Sequence, residues 1–114
     1  IAKRYDNELS CTSMILPRER RENKYVYYVY VVKHSKRDLF IEKLRERDIH
    51  VNISYPWPIH TMVGYEYLGW KDGDLPVTER YANEIFSLPM YPTLTNDEQT
   101  KVINEVKEID KLLA

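Results

Sequence analysis

Three stretches of the chain carry a clear apolar rhythm, and each predicts a different element. From Asn96 onward, Val102, Ile103, Val106, Ile109, Leu112 and Leu113 recur at helical spacing. Thr95 and Glu98 stand three residues apart just before them, the pattern of a capping box, so a closing helix is predicted there. Tyr25 to Val32 is built only of tyrosine and valine. That composition predicts a strand, and apolar positions on both alternating faces predict a central one covered on each side. Ser35 and Asp38 repeat the capping spacing, predicting a second helix to about Arg47 that buries Leu39, Phe40 and Leu44.

The intervening segments read less regularly. Ala2 to Leu9 has the look of the end of an amphipathic helix, and Met14 to Pro17 is a short apolar run closed by proline. Arg18 to Lys24 reads as an exposed charged loop. Ile49, Val51 and Ile53 alternate with His50 and Asn52, as in a half-buried strand. Tyr55 to Gly73 holds two prolines, both tryptophans and all three glycines, and predicts a long irregular segment of the kind that often carries function. A third helix is expected from Asp74 or Leu75, with Pro76 in its first turn and Val77, Tyr81, Ala82 and Ile85 as its apolar stripe. Ser87 to Pro92 should be extended. Strands alternating with helices in this order predict an α+β fold, with a small antiparallel or mixed sheet packed against helices.

Composition narrows the function. The 114 residues suit one domain, and 17 basic against 18 acidic residues leave a net charge of -1, without the basic excess of a nucleic-acid binder. No apolar run has bilayer-spanning length, so no membrane partner is expected. The single cysteine, Cys11, has no internal partner for a disulfide. His34, His50 and His60 lack metal-ligand spacing, and the glycines match no phosphate loop. The chain begins at Ile1 without a methionine, which suggests a fragment or processed product.

Candidate chemistry is left with Ser54-Tyr55-Pro56-Trp57-Pro58-Ile59-His60. Prolines on both sides of Trp57 stiffen the backbone and present Tyr55, Trp57 and His60 in fixed directions. Such a group can stack on a sugar or ring and hydrogen-bond to it. The same residues also suit a stiff connection whose aromatics cover the core and whose histidine bonds a nearby carbonyl.

The order of short motifs is more telling. Ile1-Ala2-Lys3-Arg4-Tyr5 with Leu9, Leu16-Pro17, the aromatic strand, Arg37-Asp38-Leu39 with Leu44, Tyr55-Pro56-x-Pro58-Ile59-His60 and Tyr67-Leu68-Gly69 follow one another. Asp74-Leu75-Pro76-Val77-x-Glu79-Arg80, Ser87-Leu88-Pro89-Met90 and Leu94-Thr95 continue the series. Together they resemble the C-terminal part of the DegT/DnrJ/StrS-type sugar aminotransferases, over nearly the whole chain.

The resemblance implies a pyridoxal-phosphate (PLP) enzyme of the aspartate-aminotransferase type of fold, moving an amino group, usually from glutamate, to a nucleotide-linked keto-sugar. The chain is then a single domain, residues 1–114, the small C-terminal domain. Residues 1–10 would be the end of a helix leading from a missing N-terminal domain that binds the cofactor and supplies the Schiff-base lysine. The complete enzyme is expected to be a cytoplasmic homodimer. The chain alone is expected to hold no cofactor and to be inactive. The resemblance also points to His60 as a hydrogen-bond donor to the sugar nucleotide and to Tyr55 as an orienting group, with no catalytic residue and no metal site in this chain. Ser54 and Tyr28 stand where many members have histidine, which bears on substrate identity. The rival expectation is a free-standing, non-catalytic domain derived from that family, binding a sugar nucleotide or a partner protein.

Overall fold

The computed structural model describes residues 1–114. In order, the elements are helix α1 (Ala2–Leu9), strand β1 (Tyr30–Lys33), helix α2 (Arg37–Glu46), two 3-10 turns (Ile59–Thr61 and Val63–Leu68), helix α3 (Pro76–Glu84), strand β2 (Ile85–Leu88) and helix α4 (Asn96–Leu113). The result is α+β, with helices packed on a two-stranded antiparallel sheet.

β1 pairs with β2 from Tyr30 opposite Leu88 to Lys33 opposite Ile85. Each strand has a one-residue outrigger, since Ile15 bridges Lys33 and Asn52 bridges Ser87. The sheet is thus shorter than the sequence predicts, and of the predicted strand over Tyr25–Val32 only Tyr30 to Val32 join the ladder. Pro89 follows Leu88 and has no N–H, so the ladder stops at Tyr30. Upstream, Tyr27 has a φ of 46°, which takes the chain out of the extended region. Tyr25, Val26 and Tyr28 are exposed in place of being covered on both faces. The expected strand at Ile49–Ile53 likewise shrinks to the Asn52 bridge, with Ser87 N–H donating to the Asn52 carbonyl at 2.8 Å.

The core joins Tyr5 and Leu9 of α1, Tyr30 and Val32 of β1, and Phe40 and Leu44 of α2 to Phe86 and Leu88 of β2 and Val102, Ile103, Val106 and Ile109 of α4. This is the stripe that the helical spacing of α4 predicts, apart from Leu112, which is exposed. Its N-terminus carries the expected box, with Thr95 Oγ1 accepting from Glu98 N–H and Thr95 N–H donating back to Glu98.

The box expected at α2 does not form. His34 Nδ1 accepts the Lys36 N–H at 3.0 Å, so the chain turns into α2 on an imidazole, with Lys36 as the capping residue. Asp38 instead accepts from its neighbour Arg37 at 2.8 Å, and the same guanidinium donates to the Ala82 carbonyl. α2 therefore starts tied to α3. Leu39 faces outward, while Phe40 and Leu44 are buried. Ile85 leaves the predicted helical stripe to open β2, and the Glu84 carbonyl at the end of α3 accepts from His34 N–H at 2.9 Å.

Candidate functional site

The proline-bracketed segment leads directly into a short turn. Pro58 is extended, at φ -61° and ψ 136°, and its carbonyl accepts from Thr61 N–H at 3.1 Å and Thr61 Oγ1 at 3.0 Å. This closes the turn Ile59–Thr61 and carries the His60 ring inward, where the residue is 7% exposed. Its Nε2 lies 2.8 Å from Oε1 of Glu79.

Glu79 sits in the first turn of α3, where the helix N-terminus favours a negative side chain. Its carboxylate also accepts the N–H of Gly73 at 2.9 Å and that of Leu75 at 3.2 Å. Gly73 reaches this position at φ 93°, a left-handed conformation that a side chain would strain. The His60 hydrogen bond first, and the two amides after it, hold the Glu79 carboxyl below its ordinary range against the opposing effect of burial. An ionised carboxylate only accepts, so His60 Nε2 is the donor in this pair. The neutral ring is then the Nε2–H tautomer. Nδ1 has no partner in the chain, and it is not among the atoms sealed away without one.

Tyr55 and Trp57 are placed differently. They are 75% and 68% exposed and line an open groove of about 490 Å³. One wall is Ser54 to Ile59 with Met62, and the other is Thr78, Tyr81, Ala82 and Ile85. The segment thus has two faces. Its tyrosine and tryptophan border the groove, while His60 is not among the groove's lining residues and is fastened to Glu79 beside it. Tyr28 lies elsewhere, in a second open hollow of about 630 Å³ formed by Pro17, Glu22 to Val29 and Val31.

Sequence reasoning missed Glu79 as the partner of His60, and it missed the far wall of the groove. Thr78, Tyr81, Ala82 and Ile85 follow the spacing i, i+3, i+4, i+7 that ordinarily marks a core stripe, so the signal was present and pointed inward. Glu79 gave none beyond its place in a motif, because nothing in a linear sequence pairs it with a residue 19 positions earlier.

No helix is long and apolar enough to cross a membrane, and no three His, Cys, Asp or Glu side chains gather into a metal-holding group. The lysines do not enter the groove either. Lys33 pairs with Glu84, Lys43 with Glu46 and Lys107 with Glu8, and no lysine is buried.

The two-stranded sheet with helices against it, and the stiff aromatic segment beside it, can be set beside known proteins. Residues 1–107 match the DegT/DnrJ/EryC1/StrS aminotransferase family, and the chain belongs to it. It is 51% identical over 114 residues to the dTDP-3-amino-3,4,6-trideoxy-alpha-D-glucose transaminase of Micromonospora megalomicea subsp. nigra, covering 96% of this chain and 30% of that protein. Among solved structures, the S. venezuelae protein DesV, in complex with a ketimine intermediate, superposes with a TM-score of 0.92 at 28% identity, over 96% of this chain and 30% of that one. The putative sugar aminotransferase Spr1654 of Streptococcus pneumoniae, solved in its PMP-form, shares the fold at a TM-score of 0.86 and 19% identity, over 98% of this chain and 29% of that one. The chain thus spans about 30% of the length of the relatives it matches.

PLP, which the family implies, needs an amine to hold it, a cation or amide cradle for its phosphate and an acid for its ring nitrogen. The groove is lined by no lysine, arginine or carboxylate. The residues present do not fit the cofactor.

Proposed function

We propose that these residues form the C-terminal domain of a PLP-dependent aminotransferase acting on a nucleotide-linked keto-sugar in amino-sugar biosynthesis. The domain helps close the substrate cleft and is inactive as an isolated chain. The observation that carries this reading is the 51% identity to the Micromonospora transaminase, sustained over 114 residues. α1 is then the end of the helix arriving from the cofactor domain, and the whole enzyme is a cytoplasmic homodimer. Tyr55 orients the sugar nucleotide, and His60 hydrogen-bonds to it at the edge of the cleft.

Grafting tests this. The 114 residues replace the matching 30% of the Micromonospora transaminase, and amino transfer from glutamate to its dTDP-linked keto-sugar is followed. The expected result is turnover by the chimera and none by the isolated chain. A well-folded chimera without turnover, beside an isolated chain that binds the sugar nucleotide tightly, would replace this reading with that of a free-standing binding domain.

A further inference from the structure

The carboxylate that meets the His60 ring belongs to another element, α3. Glu79 makes three kinds of contact with one carboxylate: the His60 ring at 2.8 Å, the Gly73 amide at 2.9 Å and the Leu75 amide at 3.2 Å. Two amides fix the carboxylate, and the fixed carboxylate leaves the ring one way to place its proton. The second nitrogen of a histidine is set by what the first one bonds, and here the first bond is made inside the chain.

Resting on the proposed role of His60, we infer that Glu79 is its positioning residue: by taking the Nε2–H it turns Nδ1 toward the sugar nucleotide as a hydrogen-bond acceptor, matched to a hydroxyl of the sugar. A phosphate or carbonyl oxygen does not suit this position, since two acceptors would face each other across the contact. A sugar hydroxyl donates, so His60 accepts from the ligand where the family resemblance implies a donor, and the rest of the ligand lies against the aromatic groove formed by the same segment. The glycine at position 73 belongs to this device, because its left-handed backbone aims the N–H that steadies the carboxylate.

Two measurements test the inference. In alkaline buffer, nitrogen-15 spectra of the 114-residue chain should show His60 with a protonated Nε2, a bare Nδ1 and a ring N–H proton slow enough in exchange to be seen. In Glu79→Ala that proton should vanish into water exchange, and Glu79→Gln, which keeps an acceptor, should restore it. A protonated Nδ1 in the unsubstituted chain, or an unchanged ring proton in Glu79→Ala, overturns the inference.

The second measurement uses the chimera. Glu79→Ala should raise KM for the dTDP-linked sugar about tenfold, as expected when one oriented hydrogen bond is lost, with kcat nearly unchanged. Glu79→Gln should recover most of the loss. His60→Gln places its amide near the Nε2 position and keeps the Glu79 contact, yet should raise KM as much as Glu79→Ala, because nothing replaces Nδ1. If the His60 variant raises KM and Glu79→Ala does not, the positioning role fails and the proposed function stands. If neither moves KM, the role of His60 itself fails.

Discussion

Two regions of this chain treat the tyrosine side chain in opposite ways. Tyr5 and Tyr30 lie wholly inside, 5.0 Å apart between ring centres. Their hydroxyls are satisfied, Tyr5 donating to the Pro89 carbonyl at 2.8 Å and Tyr30 to Asp6 at 2.6 Å, and burial pushes both phenols up. Tyr28 and Tyr55 stand almost free in solvent, one in each of the two open hollows. The helical and sheet half of the molecule uses the ring as core and the hydroxyl as a tether. The two open hollows present the ring itself. The difference teaches that tyrosine richness marks no single role, and that the partner of the hydroxyl separates the two uses.

Substitution at the centre of the packed half should break it outright. Phe40 is fully buried against Phe86 and the edge of His34. Phe40→Ala is expected to lower unfolding free energy by about 3–5 kcal/mol in urea denaturation. Thr95→Ala, which removes the cap of α4 but no core contact, should cost about 1 kcal/mol in the same measurement.

A third effect is a slope with pH. His34 is buried between Ser13 and Asp110 on one side, with Nε2 3.1 Å from Ser13 Oγ and 3.9 Å from Asp110, while Nδ1 faces the Lys36 amide. Burial, the larger influence, lowers its pKa, and Asp110 opposes this without reversing it. Below the unfolded value of about 6.5 the unfolded chain therefore takes up a proton before the folded one does. The contribution of His34 is constant above that value, and stability should fall as pH drops below it. His34→Gln should flatten this part of a thermal-melt pH series, and an unchanged slope would show that the ring is not its source.

The smallest effect sharpens the contrast from the other side. Trp57→Ala removes a larger ring than Phe40→Ala, yet it should change stability by no more than about 0.5 kcal/mol, because the ring is already in water. A loss comparable with that of Phe40→Ala would mean that the groove is part of the core after all.

Much of the packed half is legible in the sequence because its signals are local. The Thr95 cap and the stripe from Val102 to Ile109 need only residues a turn or two apart, and Phe40 and Leu44 follow the same logic. The predicted strand over Tyr25–Val32 went wrong where the deciding residue lies far away: β-propensity is high throughout, but pairing ends where Pro89 faces the chain. Ser35 had the right spacing for a cap and lost to His34, whose ring reached the Lys36 amide first. In the candidate site the stiff segment Tyr55 to His60 stood out by its prolines. Its opposite wall and Glu79 did not, since a helical stripe reads the same whether it faces a core or a groove.

The packing of α1 has a consequence for the time course of folding. Arg4 donates to the Asn96 carbonyl at 3.0 Å and to Thr100 at 2.7 Å, Gln99 donates to the Ile1 carbonyl at 2.9 Å, and Lys107 meets Glu8 at 2.7 Å. Each of these contacts closes a loop of nearly the whole 114 residues. Such closures are slow, because chain entropy must be surrendered before the contact repays it. During synthesis, Tyr5 can settle on Tyr30 of β1 early, but the face of α1 that meets α4 stays open until α4 has left the ribosome. That face is therefore the last part of the core to be covered, and until then it is apolar surface open to wrong partners.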